Sequence, residues 1–393
     1  MPRNSIITLL MTFFLLGAFG LVFLRTSFFE ITQLLALVGF AVFAYVKQKN
    51  IFSNLVIVYV LGVFLSCIIA CFTNNTSYYY KFRASYHYIG LLSFFIPFYF
   101  GITYDEMRKI LRIVSIAFCA CYIYQYEARS FLFSIDNTIF EHNEIRPRMV
   151  GSLCGYYLFF ESWSMILFNR KRIMNFLLLL LAFFPIIIQG FRSIIFCTLV
   201  SSFVMIAFSY GHWLKTIKIS LFAAIFVMFV SQIPFVSDKI NEMDARQESG
   251  QVFSEKDYIR NVALAYYWDN CNNDVVSFAF GTGIRSYDSN DRFENEEQQG
   301  IFMTDLGLVG LGFVLGFVPV MLLISIVILL IVKCKSIDIQ FLKFCMFAIL
   351  MSSIITNSEI YRVGNLILIG LILYMVWKKE DEINKITVEK RSL

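Results

Sequence analysis

Apolar positions gather in windows of roughly 16 to 27 residues, the length a helix needs to cross a hydrocarbon layer about 30 Å thick. The windows run near 5–24, 31–46, 54–72, 89–103, 110–126, 149–168, 173–189, 194–210, 218–235, 306–332, 341–355 and 363–377. Each predicts a spanning helix, because a helix satisfies its own backbone where no water is available. The window at 89–103 is short. The pattern predicts an all-α, polytopic integral membrane protein of about 12 transmembrane helices with one large loop outside the membrane. Helices 1 to 9 fall in 1–236, the loop in 237–300, helices 10 to 12 in 301–377 and a cytoplasmic tail in 378–393.

The loop has a pattern of its own. Ser254 followed by Glu255 and Asp257 has the form of an N-cap with an acidic first turn. Behind it Ile259, Val262, Ala263, Tyr266 and Tyr267 recur at helical spacing, so a short amphipathic helix over about 255–270 is expected to bury one face. Val275–Phe280 reads as an apolar, strand-like run, and Gly281-Thr282-Gly283 as the turn after it.

Composition agrees with lipid as the solvent. Of the 393 residues, 58% are hydrophobic and only 16% charged, against about 25% charged in ordinary domains. Eight of the nine cysteines lie in or beside apolar windows and Cys271 stands alone in the loop, which leaves no disulfide framework and no metal site. No cofactor motif occurs. Met1 to Leu24 has no small-residue cleavage pattern behind it and reads as an uncleaved first helix.

The net charge of +5 is informative by location and is no sign of a nucleic-acid partner. Alternating the sides puts Lys47, Arg108, Lys109, Arg170, Lys215, Lys333 and the tail from Lys378 on one face. The excess of basic residues makes that face cytoplasmic, with both termini inside. The cytoplasmic ends are mostly lysine. The opposite face carries Arg25, Arg83, Arg129, Arg146, Arg148, Arg192, Arg246, Arg260, Arg285, Arg292 and Arg362, with only Lys81, Lys239 and Lys256. Point charges suffice for topology, whereas a planar five-donor fork suits phosphate or carboxylate held in two places. An anionic ligand at the arginine-rich face is one reading; snorkelling to headgroups, or pairing with loop carboxylates, is the other. Arg192 differs, because it sits in Gln189-Gly190-Phe191-Arg192-Ser193 between two apolar windows with almost no loop, near membrane depth.

In order along the second half, Arg148-Met149-Val150-Gly151 opens a window and Gly190-Phe191-Arg192-Ser193 separates two. Arg260 through Trp268 forms the loop helix, Phe280-Gly281-Thr282-Gly283 a turn, and Asp305-Leu306-Gly307-Leu308-Val309-Gly310 starts the next window. This succession resembles the O-antigen polymerases of Wzy type and the related O-antigen ligases. It departs from them at Phe191, where the family has a small or hydroxyl residue, and the first five windows carry no distinctive match. The ligases have a histidine in the outer loop; the three histidines here are His87, His142 and His212, none of them within 237–300. The resemblance therefore favours polymerase over ligase.

The resemblance implies a metal-independent membrane glycosyltransferase of the bacterial inner membrane, joining polyprenyl-diphosphate-linked oligosaccharide repeat units at the periplasmic face. Its partners would be that lipid-linked oligosaccharide and membrane lipid, with a chain-length regulator and a flippase. Arg148, Arg192, Arg260 and Arg285 are the candidate diphosphate ligands, since arginines at a water-poor mouth stabilise a leaving diphosphate electrostatically. Glu296 and Glu297 stand where the ligases carry their histidine and are the candidate catalytic bases. Solvating the loop, or pairing with Arg292, is the alternative role for these acids. A lipid-linked-oligosaccharide flippase or other transporter is the competing function, although transporters place charge near the bilayer midplane rather than in one outer loop.

Overall fold

In the computed structural model of the protein the described residues are 2–16, 27–47, 49–74, 76–128, 151–167, 172–188, 192–210, 259–271, 274–284, 301, 303–355, 359–362 and 364–392. All regular structure among them is helical. The first half comprises α1 (Arg3–Leu15), α2 (Ser27–Tyr45), α3 (Ile51–Asn74), α4 (Tyr78–Ala84), α5 (Ile96–Tyr99), α6 (Tyr104–Ala128), α7 (Leu153–Leu167), α8 (Arg172–Ile188) and α9 (Arg192–Tyr210). Then follow α10 (Ile259–Cys271), α11 (Val275–Phe280), α12 (Gly307–Leu315), α13 (Phe317–Lys333), α14 (Gln340–Ile355) and α15 (Asn365–Ser392).

Three stretches among the described residues are long and apolar enough to cross a membrane: Phe28–Tyr45, Ile51–Phe72 and Ile337–Ile354. Shorter apolar helices cover Arg3–Leu15, Gly90–Tyr99, Arg172–Ile188, Ser193–Phe208 and Phe317–Lys333. Large apolar side chains such as Leu35, Phe43, Leu61, Phe72, Phe196 and Phe208 stand exposed along them. So much uncovered apolar surface suits lipid contact and is costly in water. The window at 218–235 lies outside the described residues.

Contacts distant in sequence sort the helix ends into two groups. At one end Ser5 Oγ donates to Glu106 (3.0 Å), the Tyr104 hydroxyl donates to the Asp338 carbonyl (3.1 Å), and Lys379 pairs with Asp338 (3.5 Å). The Lys343 ammonium lies 5.8 Å from the Phe208 ring centroid, also at this end. A reciprocal cap starts α6 here, with Glu106 accepting from the Thr103 N–H and the Thr103 hydroxyl accepting from the Glu106 N–H. The other end gathers residues near 30, 70, 81–88, 151, 283 and 360.

The short window at 89–103 is no ordinary α-helix. Gly90–Phe95 is a 3-10 helix, followed by the single turn of α5. A 3-10 helix rises about 2.0 Å per residue against 1.5 Å, so a short segment reaches further. It is buried all round: the Ser93 hydroxyl donates to the Ile367 carbonyl (2.6 Å) in α15, and the Tyr374 hydroxyl donates to the Ile102 carbonyl.

The expected single helix over 306–332 is broken at Gly316, which has φ +91°. The break frees carbonyls of the last turn of α12 from helical partners. The turn after α11 takes them: the Thr282 N–H donates to Phe313 O (3.1 Å) and the Gly283 N–H to Val314 O (2.9 Å). Gly281 (φ +77°) comes so close to Val314 and Gly316 that a Cβ would overlap their backbone.

Val275–Phe280 is helical, not a strand. A six-residue apolar run has no decisive period, and Asp274 settles it by capping the segment, its carboxylate accepting from the Ser277 N–H at 2.7 Å. That donation, with the Ser277 hydroxyl, holds the Asp274 carboxyl below the ordinary aspartate range. The expected loop helix is present as α10, although Ser254, Glu255 and Asp257 lie outside the described residues. Ala263 and Tyr267 are buried, Tyr266 is partly buried, and Val262, expected on the same face, is exposed. Tyr267 stacks on Phe313 of α12 (5.9 Å, 12° between planes), which docks the helix on the bundle. Finally, α15 continues through 377 and 378 without a break.

Candidate functional site

The second end of the bundle is built on charges buried between helices. In the link between α14 and α15, Glu359–Tyr361 forms one 3-10 turn, anchored where the Ile360 N–H donates to the Ser353 hydroxyl (2.9 Å). Glu359 is fully buried and pairs with the Arg362 guanidinium at 2.6 Å. Its other oxygen accepts from the Ser152 hydroxyl at 2.7 Å. The Asn365 amide donates to Ser152 Oγ (2.8 Å) and to the Glu359 carbonyl (2.5 Å). The Asn365 side-chain oxygen in turn accepts from the Leu153 N–H (2.9 Å), capping α7 from 212 residues away.

One knot therefore joins the start of α7, the end of α14 and the start of α15. A carboxylate buried this deeply is tolerable only when paired and hydrogen-bonded, and Glu359 is both. Tyr122 and Tyr156, buried in neighbouring helices, lie within the field of the Glu359–Arg362 pair. Tyr361 stacks on Tyr88 (6.3 Å, 25°), linking the knot to the segment after α4. On that side Arg83 pairs with buried Glu30, and the buried Lys81 ammonium donates to the Ile284 carbonyl (2.6 Å). Lys81 thus holds the end of the Gly281–Gly283 turn.

Of the residues expected to bind diphosphate, Arg260 is half-buried in the first turn of α10. Arg192 opens α9. That helix runs antiparallel to α14, since Phe208 meets Lys343 at the first end while Cys197 and Ser352 both neighbour Tyr156 near the second. The backbone of Arg192 therefore belongs to the end that holds Glu359. Arg148, Arg285, Glu296 and Glu297 lie outside the described residues, but the chain just after Arg148 and just before Arg285 is fixed at this end. Gly151 packs against Gly364 and Phe118, and Ile284 is held by Lys81.

Sequence reasoning passed over the acids Glu30, Glu161 and Glu359. Glu161 lies inside an apolar window and Glu30 borders one, which by itself marks an ionisable group needing a partner. Their partners, 49 to 53 residues distant, left no local trace. Among the described residues no group of three or more His, Cys, Asp or Glu could hold a metal ion. No protein-family model matches the chain, and no curated protein matches it.

Proposed function

We propose that the chain is a polysaccharide polymerase of the O-antigen polymerase type, joining polyprenyl-diphosphate-linked repeat units at the outer face of a bacterial inner membrane. In this reading about 12 helices span the bilayer, both termini are cytoplasmic and the 237–300 loop is periplasmic. The observation that carries it is a continuous chain of contacts among segments far apart in sequence. The helix holding Arg260 stacks through Tyr267 on Phe313, and Phe313 accepts from Thr282 of the Gly-Thr-Gly turn. Gly307 lies against Ser353, Ser353 holds Ile360, and Glu359 holds Ser152 beside the Gly151 that closes Arg148-x-x-Gly151. The described parts of these motifs thus lie toward one end of the bundle, together with the backbone start of α9 at Arg192, which supports the reading.

In this reading the chemistry is a glycosyl transfer. An acceptor-sugar hydroxyl oxygen attacks the anomeric carbon of the donor repeat unit. The bond from that carbon to the diphosphate oxygen breaks, and the diphosphate leaves with the electron pair. Arg148, Arg192, Arg260 and Arg285 neutralise the charge that develops on it. Glu296 or Glu297 takes the proton from the attacking hydroxyl.

Arg192→Lys tests the reading, because it keeps the charge and loses the fork. In a deletion strain carrying this variant at normal protein level, polymer synthesis is expected to fall about a hundredfold, the scale of one lost transition-state donor. Unpolymerised lipid-linked units should accumulate. Polymer near the wild-type amount would leave Arg192 a structural role only. With purified protein and synthetic lipid-linked repeat units, Glu296→Gln combined with Glu297→Gln is expected to stop turnover while donor binding survives. Full turnover in that double variant would remove both acids from the mechanism.

A further inference from the structure

The first end of the bundle holds a second buried ionic cluster that this chemistry does not use. Glu161 of α7, only 1% exposed, accepts from two arginines of α6. Arg112 grips it with two nitrogens, Nε to Oε2 at 2.8 Å and Nη2 to Oε1 at 2.7 Å. Arg108 reaches Oε1 through Nε alone, at 2.6 Å. Both Nη groups of Arg108 and Nη1 of Arg112 make no hydrogen bond among the described residues.

The charges do not balance. Around Arg108 and Arg112 the packed elements contribute Glu161, the Tyr157 hydroxyl and Tyr104, with Asp105 and Asp338 further out, and Asp338 is engaged by Lys379. The Tyr157 hydroxyl is spent on the Arg108 carbonyl, and the Phe341 ring lies 5.3 Å from the Arg108 guanidinium carbon. Among the described residues the two guanidinium groups thus share one carboxylate and keep a surplus positive charge. Arg108 is 15% exposed and Arg112 32%, so the surplus sits partly desolvated at the rim of the helices. A partly desolvated guanidinium with idle donors is stabilised by an acceptor with several oxygens.

We propose that Arg108 and Arg112, oriented by Glu161, form a binding site for a phosphate oxyanion at the end of the bundle opposite the Glu359–Arg362 knot. The oxyanion comes from the headgroup of an anionic phospholipid or from soluble phosphate, and the free edge of Arg108 is its principal donor. Glu161 is the positioning residue. Without it the two guanidinium groups would repel each other and splay apart; with it, both are held and only one charge is cancelled.

Full-length protein in neutral detergent provides the test, with phosphatidylglycerol, phosphatidylcholine and sodium phosphate as separate probes, the last against sodium chloride at equal ionic strength. Binding is read by native mass spectrometry and by thermal shift. Stabilisation by phosphatidylglycerol alone assigns the site to a lipid headgroup; stabilisation by inorganic phosphate, alone or as well, assigns it to the oxyanion itself. Arg108→Gln should fold, because Arg112 still pairs with Glu161 in two places, and it is expected to weaken binding of the effective probe about tenfold or more, as one lost charged hydrogen bond would. Arg108→Lys should fall between it and wild type. Equal response of the wild-type protein to phosphatidylglycerol and phosphatidylcholine, with none to phosphate, overturns the proposal without any variant. So does undiminished binding in Arg108→Gln.

Discussion

Gly281→Ala is expected to eliminate most of the folded protein. Gly281 has φ 77° and ψ 177°, a region essentially closed to side-chain-bearing residues. Occupying it costs about 1–3 kcal/mol before any collision is counted. A collision follows, because the new methyl would overlap Val314 and Gly316, both of them backbone. Relief requires the turn to withdraw, and withdrawal leaves the carbonyls of Phe313 and Val314 without the Thr282 and Gly283 N–H groups. The Phe313 carbonyl, which loses both of its donors, then costs about 1–3 kcal/mol more, while Val314 O keeps only the Ser66 hydroxyl at 3.4 Å. The sum is a large share of the stability of an ordinary domain, about 5–15 kcal/mol. Gly39→Ala is the matched control, since Gly39 lies within α2 with nothing within 4 Å of its missing Cβ. It should be neutral or slightly stabilising, as alanine favours a helix over glycine. Monodisperse yield after detergent extraction compares the two; equal yields would mean that the turn is not wedged as described.

Glu359→Ala ranks second. Removing the carboxylate takes a buried partner charge from the Arg362 guanidinium, 18% exposed, and an acceptor from Ser152. Breaking a buried pair from one side costs about 3–5 kcal/mol, mostly from the charge left behind. Removing both charges is gentler. Glu359→Gln with Arg362→Met should recover most of the loss, because glutamine still accepts from Ser152 and no ion remains. Thermal unfolding of Glu359→Gln, of Arg362→Met and of the double variant in one detergent reads the coupling. If the double variant is as unstable as the sum of the singles, Glu359 and Arg362 do not act as a pair.

The parts of the fold legible in the sequence are those decided by local composition. Ile51–Asn74 is a continuous apolar run and forms one long helix, and α10 carries its predicted Tyr267 inward. Where a distant partner decides the conformation, local pattern falls short. The 3-10 geometry at Gly90–Phe95 depends on α15, and the break at Gly316 depends on the turn that fills it. The candidate site divides the same way. An arginine in the four-residue gap between two apolar windows, Arg192, stands out by its depth alone. Glu359 does not, because what makes it unusual is Ser152, 207 residues away.

The burial of Gly90–Phe95 against α15 bears on how the chain is made. A ribosome delivers that segment long before its partner, and most of the chain is made while the Ser93 hydroxyl still lacks the Ile367 carbonyl that receives it. A chain arrested before Asn365 would therefore leave the Ser93 hydroxyl without its acceptor, with the capping oxygen for Leu153 also missing. An unfinished product would thus be marked at two places by the absence of a single late helix.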